Sequence, residues 1–274
     1  MSTIVLYQMR ISKESKVIVI YYLFIFAYWA ILYFQGTKEQ GVNHYYQVAE
    51  GFIPFLGGIV GIYKARRWGL FKSKLGAALC YISLGIFSWG IGQMLWSVYY
   101  NLMQHTEVPY PSLADVGFVL AIPFWSIGIY YLSKATGAHF SLKHLRGKII
   151  LFVIPILATL ASYYLLYVVA RGGSISLDGD RLKLFFDFAY PIGDLLILTL
   201  SLLIYGLSFS YLGGKYKISI LSIILGFIVM YIADFSFSYT TTNLTYFNGH
   251  WVDILFPTAM TLMAVGVNNF DIEK

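Results

Sequence analysis

Six acidic residues lie within long apolar stretches of this sequence, where a charged side chain carries a large energetic cost. A carboxylate at the centre of a membrane-spanning helix costs at least ~2.5 kcal/mol, even on the mildest insertion scale. No lysine or arginine lies well inside the same stretches. The recurrence of acids there predicts a polar site within a membrane. The six are Glu50, Asp115, Asp187, Asp194, Asp234 and Asp253.

Amide and aromatic side chains accompany these carboxylates at a similar predicted depth. Gln93 and Trp96 are near one end of the third apolar stretch, and Tyr239 is near the matching end of the seventh. Carboxylates attract a cation by charge, and aromatic rings attract it through their faces. We therefore predict a ligand-binding pocket for a cation. Its candidate residues are Asp187, Asp194, Asp234, Asp253, Gln93, Trp96, Asp115 and Tyr239.

A second interpretation assigns some of these acids to helix structure. Acidic residues in the first turn of a helix cap free N–H groups and complement the helix dipole. Ser112-x-x-Asp115 has the pattern of a capping box, and Glu50 and Asp253 are also predicted within a turn or two of a helix start. For these three we favour capping, and for Asp187 both interpretations stay open. Two acids are predicted too deep in their helices for a cap, so for them we favour a functional or fold-specifying site: Asp194 and Asp234.

The sequence contains none of the common catalytic motifs. The G-x-S-x-G, H-E-x-x-H and P-loop patterns are absent. No pair of histidines has the i, i+4 spacing of a helical metal site, and none is placed to hold a haem inside the membrane. We therefore expect no catalytic residue, no cofactor and no enzymatic activity, while metal binding at the carboxylates stays open.

Long apolar stretches dominate the 274 residues, of which 58% are hydrophobic and 12% are charged. Soluble domains carry about 25% charged residues, and a spanning helix needs about 20 apolar residues. We therefore predict an all-α integral membrane protein with about eight transmembrane helices and the lipid bilayer as its partner. The stretches are near residues 17–35, 46–63, 75–100, 112–133, 149–170, 184–209, 217–240 and 250–268.

Basic residues alternate from one predicted loop to the next. Of the 19 lysines and arginines, all but four fall on the side that carries both ends of the chain. Basic loops stay in the cytoplasm, so we predict a plasma-membrane protein with cytoplasmic N and C termini and with all six acids in the outer half. The same loops account for the net charge of +6, so we expect no nucleic-acid partner. The four exceptions are Lys38, Arg171, Arg181 and Lys183.

An internal repeat relates residues 46–131 to residues 186–268. Three segments align, and the paired residues are Gln47 with Asp187, Gln93 with Asp234, and Asp115 with Asp253. An even-numbered helical unit repeats with the same orientation, so the halves are expected to be related by an axis along the membrane normal. We predict a four-helix repeat at 1–133, a basic cytoplasmic linker at 134–148 and a second four-helix repeat at 149–274.

Four short motifs resemble a known family of membrane regions. They are Gly92-Gln93…Trp96…Tyr99, Pro111-Ser-Leu-Ala-Asp115, Tyr190-Pro191-Ile-Gly-Asp194 and Trp251-x-Asp253. Together they resemble a multi-pass sensory region at the N-terminus of bacterial and archaeal diguanylate cyclases and histidine kinases, over about residues 46–268. The resemblance implies a prokaryotic input module for signal transduction. Members usually feed a cytoplasmic output domain after the last helix, whereas this sequence stops at Lys274, so signalling would pass through a cytoplasmic partner.

Three functions are consistent with these patterns. The first is a membrane sensor or ligand-binding protein with an outward-facing acidic and aromatic pocket. The second is a proton- or cation-coupled transporter, suggested by the repeat and by Pro191, which could open the sixth helix beside Asp194. The third is a structural subunit of a membrane complex. The sequence specifies neither the ligand nor the oligomeric state.

Overall fold

Helices make up the regular structure of the chain in the computed structural model, which describes residues 11–38, 41–104, 108–174, 181–208 and 216–270. The described residues contain no strand, so the prediction of an all-α protein is confirmed. The α-helices are α1 Lys13–Gln35, α2 Gly41–Arg67, α3 Lys74–Met94, α4 Leu113–Ala135, α5 Ala138–Ser141, α6 Leu145–Ser162, α7 Arg181–Ser208, α8 Lys217–Thr242 and α9 Leu255–Asn268. Wider π-helical turns extend α3 over Leu95–Gln104 and α6 over Tyr163–Val169, and a 3₁₀ turn covers Leu70–Lys72.

Seven helices among the described residues are long and apolar enough to cross a membrane, namely α1 to α4 and α6 to α8. The predicted eighth span is shorter than the sequence suggested. Its helix, α9, has 14 residues and a length of about 21 Å, against a hydrocarbon core of about 30 Å. The helix is shorter than the predicted span because residues 251–254 form turns before it. In these turns, Asp253 accepts a hydrogen bond from the N–H of the preceding Gly249.

Two helices present apolar side chains to the surroundings over much of their length. On α1, Phe34 is 83% exposed, and on α6, Phe152 is 69% exposed. A contiguous apolar surface of this extent is unstable in water and is stabilised by lipid. The exposure pattern therefore agrees with the membrane location that helix length and composition indicate.

Six helices close into a ring around the centre of the protein. Each packs on the next in the order α2, α3, α4, α7, α8 and α9, and α9 returns to α2. Outside the ring, α1 packs on α2 and α9, while α6 packs on α7. The ring passes through α2, α3 and α4 and then through α7, α8 and α9, in the order in which the predicted repeat pairs them. The repeat and the two domain boundaries stay predictions.

Glycines allow the helices of the first half to approach closely. A Cβ atom on Gly117 of α4 would lie 2.5 Å from the backbone nitrogen of Gly92 on α3, and one on Gly58 of α2 would lie 2.6 Å from that of Phe87. Contacts this short exclude any side chain, so glycine is required at these crossings.

The two ends of the described chain meet at one end of the ring. The Ser12 N–H donates to Asn269 Oδ1 at 3.0 Å, and the buried Lys64 ammonium at the end of α2 lies 3.1 Å from Glu14 at the start of α1. We name this the terminus end. At the opposite end, named the cavity end, α2, α4 and α7 begin and α3 and α8 finish.

Candidate ligand-binding site

A cavity of about 670 Å³ lies at the cavity end, between the six helices of the ring and the turn before α9. Sites for small organic ligands have volumes of about 300–1,000 Å³. All six carboxylates that the sequence analysis singled out line this one cavity, and two basic side chains, Arg171 and Lys183, lie among them. Its wall therefore carries a formal excess of negative charge.

Aromatic rings form much of the remaining wall. Trp89 of α3 stacks on Phe256 of α9 with ring centroids 5.6 Å apart, and Phe237 of α8 packs edge-on against Trp96, with centroids 6.5 Å apart. Phe118 and several tyrosines complete this surface. Carboxylates set among aromatic faces provide the two attractions that an organic cation meets in water-excluding sites.

Four buried residues from α2, α3 and the turn before α9 form one polar group, named here the amide subsite. The Gln93 amide donates hydrogen bonds of 2.8 Å to Gln47 Oε1 and to Glu50 Oε1. The Gln47 amide in turn donates to Asp253 Oδ2 at 2.8 Å, which also accepts from the Gly249 N–H at 2.6 Å. Two amides thus link two carboxylates, and each of the four side chains is at most 5% exposed.

Local sequence places Gln93 against α2. Gly51 follows Glu50, and a Cβ atom at that position would lie 3.0 Å from Gln93 Cγ. The missing side chain leaves room for Gln93 to reach both acceptors. The second carboxylate oxygen of Glu50, Oε2, is buried without a hydrogen bond of ordinary geometry among the described residues, although the carboxyl group interacts with the Tyr46 hydroxyl. The Glu50 carboxyl group therefore lines the cavity while it interacts with both Gln93 and Tyr46.

A second polar group comes from α4, α7 and α8 and consists of Asp115, Asp187, Tyr190, Asp194 and Asp234, named here the aspartate subsite. The Tyr190 hydroxyl donates to Asp115 Oδ1 at 2.6 Å. The carboxyl groups of Asp194 on α7 and Asp234 on α8 lie within hydrogen-bonding reach of each other. Two carboxyl groups in such contact repel unless a proton or a cation lies between them.

Asp115 has a structural role in addition to its place on the cavity wall. Its Oδ2 accepts from the Ser112 N–H at 2.7 Å and from the Ser112 hydroxyl at 3.0 Å. The capping box predicted from the sequence is thus confirmed. Its other oxygen, Oδ1, accepts from Tyr190, so one side chain both caps α4 and joins the aspartate subsite.

The mouth of the cavity is formed where loops meet the start of α7. The Tyr110 hydroxyl donates to Asp187 Oδ1 at 3.0 Å, and the Arg171 guanidinium lies 4.0 Å from the same oxygen. Burial raises the pKa of Tyr110 well above its usual value, and the hydrogen bond to Asp187 raises it further. Tyr110 therefore remains a donor to Asp187 at neutral pH.

The structure brings together seven of the eight candidate residues and excludes one. Asp187, Asp194, Asp234, Asp253, Gln93, Trp96 and Asp115 all line the cavity. Tyr239 does not line it and is 43% exposed. Its neighbours Ser238 and Thr241 do line it, and one residue along a helix rotates the side chain by about 100°. The structure therefore does not place Tyr239 in the cavity with the other seven.

Two of the predicted helix caps are also wrong. Glu50 lies nine residues after the start of α2 at Gly41, too far along the helix for capping. The start of this helix was predicted too late, because its first turns are polar. Asp253 lies before α9 and binds the Gly249 N–H, so it stabilises the turn instead of the first helical turn. Both side chains instead meet in the amide subsite.

Sequence reasoning named neither the bridging residue Gln47 nor the mouth residues Arg171 and Lys183 as site residues. A signal was present for each. Gln47 is the repeat counterpart of Asp187, and the two basic residues are among the four that depart from the charge alternation. Tyr190 was also omitted, although it opens a motif that ends at Asp194.

Residues that the repeat alignment pairs line the same cavity. Extending the alignment by three residues from Gln47 with Asp187, and from Asp115 with Asp253, adds two further pairs. All ten members line the cavity. The pairs are Gln47 and Asp187, Glu50 and Tyr190, Gln93 and Asp234, Asp115 and Asp253, and Phe118 and Phe256.

Packed apolar side chains lie between the cavity and the terminus end. Trp125 is ten residues after Asp115 on α4, about 15 Å deeper, and it packs edge-on against Phe227 of α8 with centroids 5.6 Å apart. Both rings are at most 3% exposed. The cavity therefore ends on a packed core.

Among the described residues, no group of three or more histidine, cysteine or acidic side chains is placed to hold a metal ion. The carboxylates are distributed around the wall and do not converge on one point.

No protein-family model, curated protein or solved structure matches this chain. The resemblance to the sensory region of cyclases and kinases therefore stays a prediction.

Proposed function

We propose that this chain is a membrane sensor that binds a small cationic ligand in the cavity between the amide and aspartate subsites. The observation that carries the proposal is the convergence of six carboxylates and several aromatic rings on one cavity of ligand size. Burying carboxylates in apolar surroundings is costly, and a bound cation would offset that cost.

The proposed orientation places the terminus end in the cytoplasm, so the cavity opens to the outside of the plasma membrane. The loops at the terminus end carry most of the basic residues, which supports this arrangement. A ligand would then reach the site without crossing the bilayer.

Two helices connect the cavity to the cytoplasmic end in this proposal. α9 follows Asp253 and ends beside α1, where Asn269 accepts from the Ser12 N–H. α2 carries Glu50 and, one turn before its end, Lys64, which pairs with Glu14 of α1. Ligand binding at the amide subsite would therefore act on the two helices that hold α1, which supports signalling to a cytoplasmic partner.

A transporter is the second candidate, favoured by the close contact of Asp194 and Asp234 on adjacent helices. Two findings weigh against it. α7 continues through Pro191 from Arg181 to Ser208 without a break, so the sequence-based expectation of an opened helix is wrong. The packed Trp125 and Phe227 rings close the path below the cavity.

The first test is thermal unfolding of the purified protein with a panel of inorganic and organic cations. A ligand at about 100 times its dissociation constant adds ~2.7 kcal/mol to the free energy of unfolding, which raises the melting temperature. We expect stabilisation by at least one cation, and we expect it to be lost in Glu50→Gln and Asp234→Asn.

Tyr239→Phe is the matched control, because this residue lies beside the wall without lining it. Its response should equal that of the unmodified protein. A panel in which no cation stabilises the protein would refute the proposal. Cation flux in proteoliposomes would favour the transporter, whereas saturable binding without flux is expected of a sensor.

A further inference from the structure

Two anionic subsites face each other across the cavity. The amide subsite is built by α2, α3 and the turn that leads into α9. The aspartate subsite is built by α4, α7 and α8, which follow one another on the other side of the ring. The subsites therefore occupy opposite sides of one volume.

Each subsite presents at least two carboxyl groups to the cavity. In the amide subsite, Glu50 and Asp253 both line the cavity, and each is at most 3% exposed. In the aspartate subsite, Asp194 and Asp234 face each other at close range. A positive group in either position would offset the negative charge of the carboxylates there.

Apolar and aromatic surface connects the two subsites. Trp96, beside Gln93 on α3, packs against Phe237, one turn beyond Asp234 on α8. Trp89 and Phe256 lie on the same wall. A ligand that filled the cavity would contact charge at both ends and aromatic rings along its length.

Inorganic ions do not match this arrangement. The described residues contain no metal-holding group of three ligands, and one compact ion could not reach both sides of a cavity of about 670 Å³. A flexible chain with a charge at each end would contact both subsites and pack against the apolar wall.

We propose that the ligand is an organic dication, with one ammonium group in the amide subsite and the other in the aspartate subsite. This inference rests on the proposed function and specifies its ligand class. Two linked ammonium groups bind more tightly than one, because the second binds at a high effective concentration once the first is held.

The test is a titration of the purified protein with α,ω-diaminoalkanes of increasing chain length. Alkylamines of equal length, calcium and magnesium are titrated in parallel, and tryptophan fluorescence reports binding because Trp89 and Trp96 line the cavity. We expect one chain length to bind best, and to bind about tenfold or more tightly than its alkylamine.

Two variants assign the ends of the ligand. Glu50→Gln and Asp234→Asn should each reduce the affinity for the best diamine to that for the alkylamine, and each should abolish the dependence on chain length. Glu50→Asp keeps the charge and should retain the preference for the diamine. Tyr239→Phe should bind as the unmodified protein does, and circular dichroism checks that each variant is folded.

The outcomes separate the inference from the proposed function. Equal affinity for diamines and alkylamines at every length, or binding of metal ions alone, would overturn the dication and leave the cation-binding proposal in place. Diamine binding that both variants retain would overturn the assignment to this cavity. Absence of binding by every cation would overturn the proposed function itself.

Discussion

Gln93 Nε2 lies 2.8 Å from Glu50 Oε1, and the two side chains belong to adjacent helices, α3 and α2. The same nitrogen lies 2.8 Å from Gln47 Oε1. One amide therefore connects the Glu50 carboxylate and the Gln47 amide within the amide subsite. This arrangement fixes the direction of the chain of hydrogen bonds. Gln93 donates to Gln47, which donates to Asp253.

Replacement of Gln93 by leucine should destabilise the protein. The variant leaves two buried acceptors, on Gln47 and Glu50, without their donor, and each unsatisfied buried group costs about 1–3 kcal/mol. We expect a lower melting temperature in detergent and weaker cation binding. Gln104→Leu is the matched control, since Gln104 is exposed on the π-helical extension of the same helix. Equal stability of the two variants would show that the hydrogen bonds contribute nothing to the fold.

The crossing of α3 and α4 should not tolerate a methyl group. A Cβ atom at Gly117 would lie 2.5 Å from the Gly92 nitrogen, and overpacking of this kind costs about 1–3 kcal/mol. Gly117→Ala should therefore lower the melting temperature and reduce the yield of folded protein. At Gly41, where a Cβ atom meets nothing within 4 Å, Gly41→Ala should have little effect. A Gly117→Ala variant as stable as the Gly41→Ala control would contradict the close approach.

The capping and binding roles of Asp115 should be separable through Ser112. Ser112→Ala removes the hydroxyl that accepts from the Ala114 N–H at 3.2 Å and leaves the Asp115 carboxylate in place. Loss of an N-cap costs about 0.5–2 kcal/mol, so the melting temperature should fall while cation affinity stays unchanged. Asp115→Asn should affect both measurements. A loss of cation affinity in Ser112→Ala comparable to that in Asp115→Asn would show that the two roles are coupled.

The carboxylates could be predicted from sequence because their burial cost makes them conspicuous in apolar helices. The network that links them could not. The bond from Gln47 to Asp253 joins residues 206 positions apart, and no local pattern encodes such a contact. The side of α8 that faces the cavity could not be predicted either, because apolar residues lie on all sides of this helix. That uniformity explains why Tyr239 was assigned to the pocket and Ser238 was not.

His250 should make the stability of the protein depend on pH. Its side chain is 8% exposed and lies in the turn between α8 and α9. Burial and the nearby Lys38 lower the pKa of His250 below its usual value. The unfolded chain therefore binds a proton at a higher pH than the folded protein does, so folding favours the neutral ring.

The contribution of His250 is fully present above the pKa of the unfolded state and is lost as pH falls through the folded pKa. We expect the melting temperature to drop more steeply between about pH 7 and about pH 5 in the unmodified protein than in His250→Gln. Thermal unfolding of both proteins over this range gives the two slopes. Other groups, including the cavity carboxylates, titrate in both proteins, so only the difference between the slopes reports on His250. Parallel curves would show that the imidazole binds a proton equally well in the folded and unfolded states.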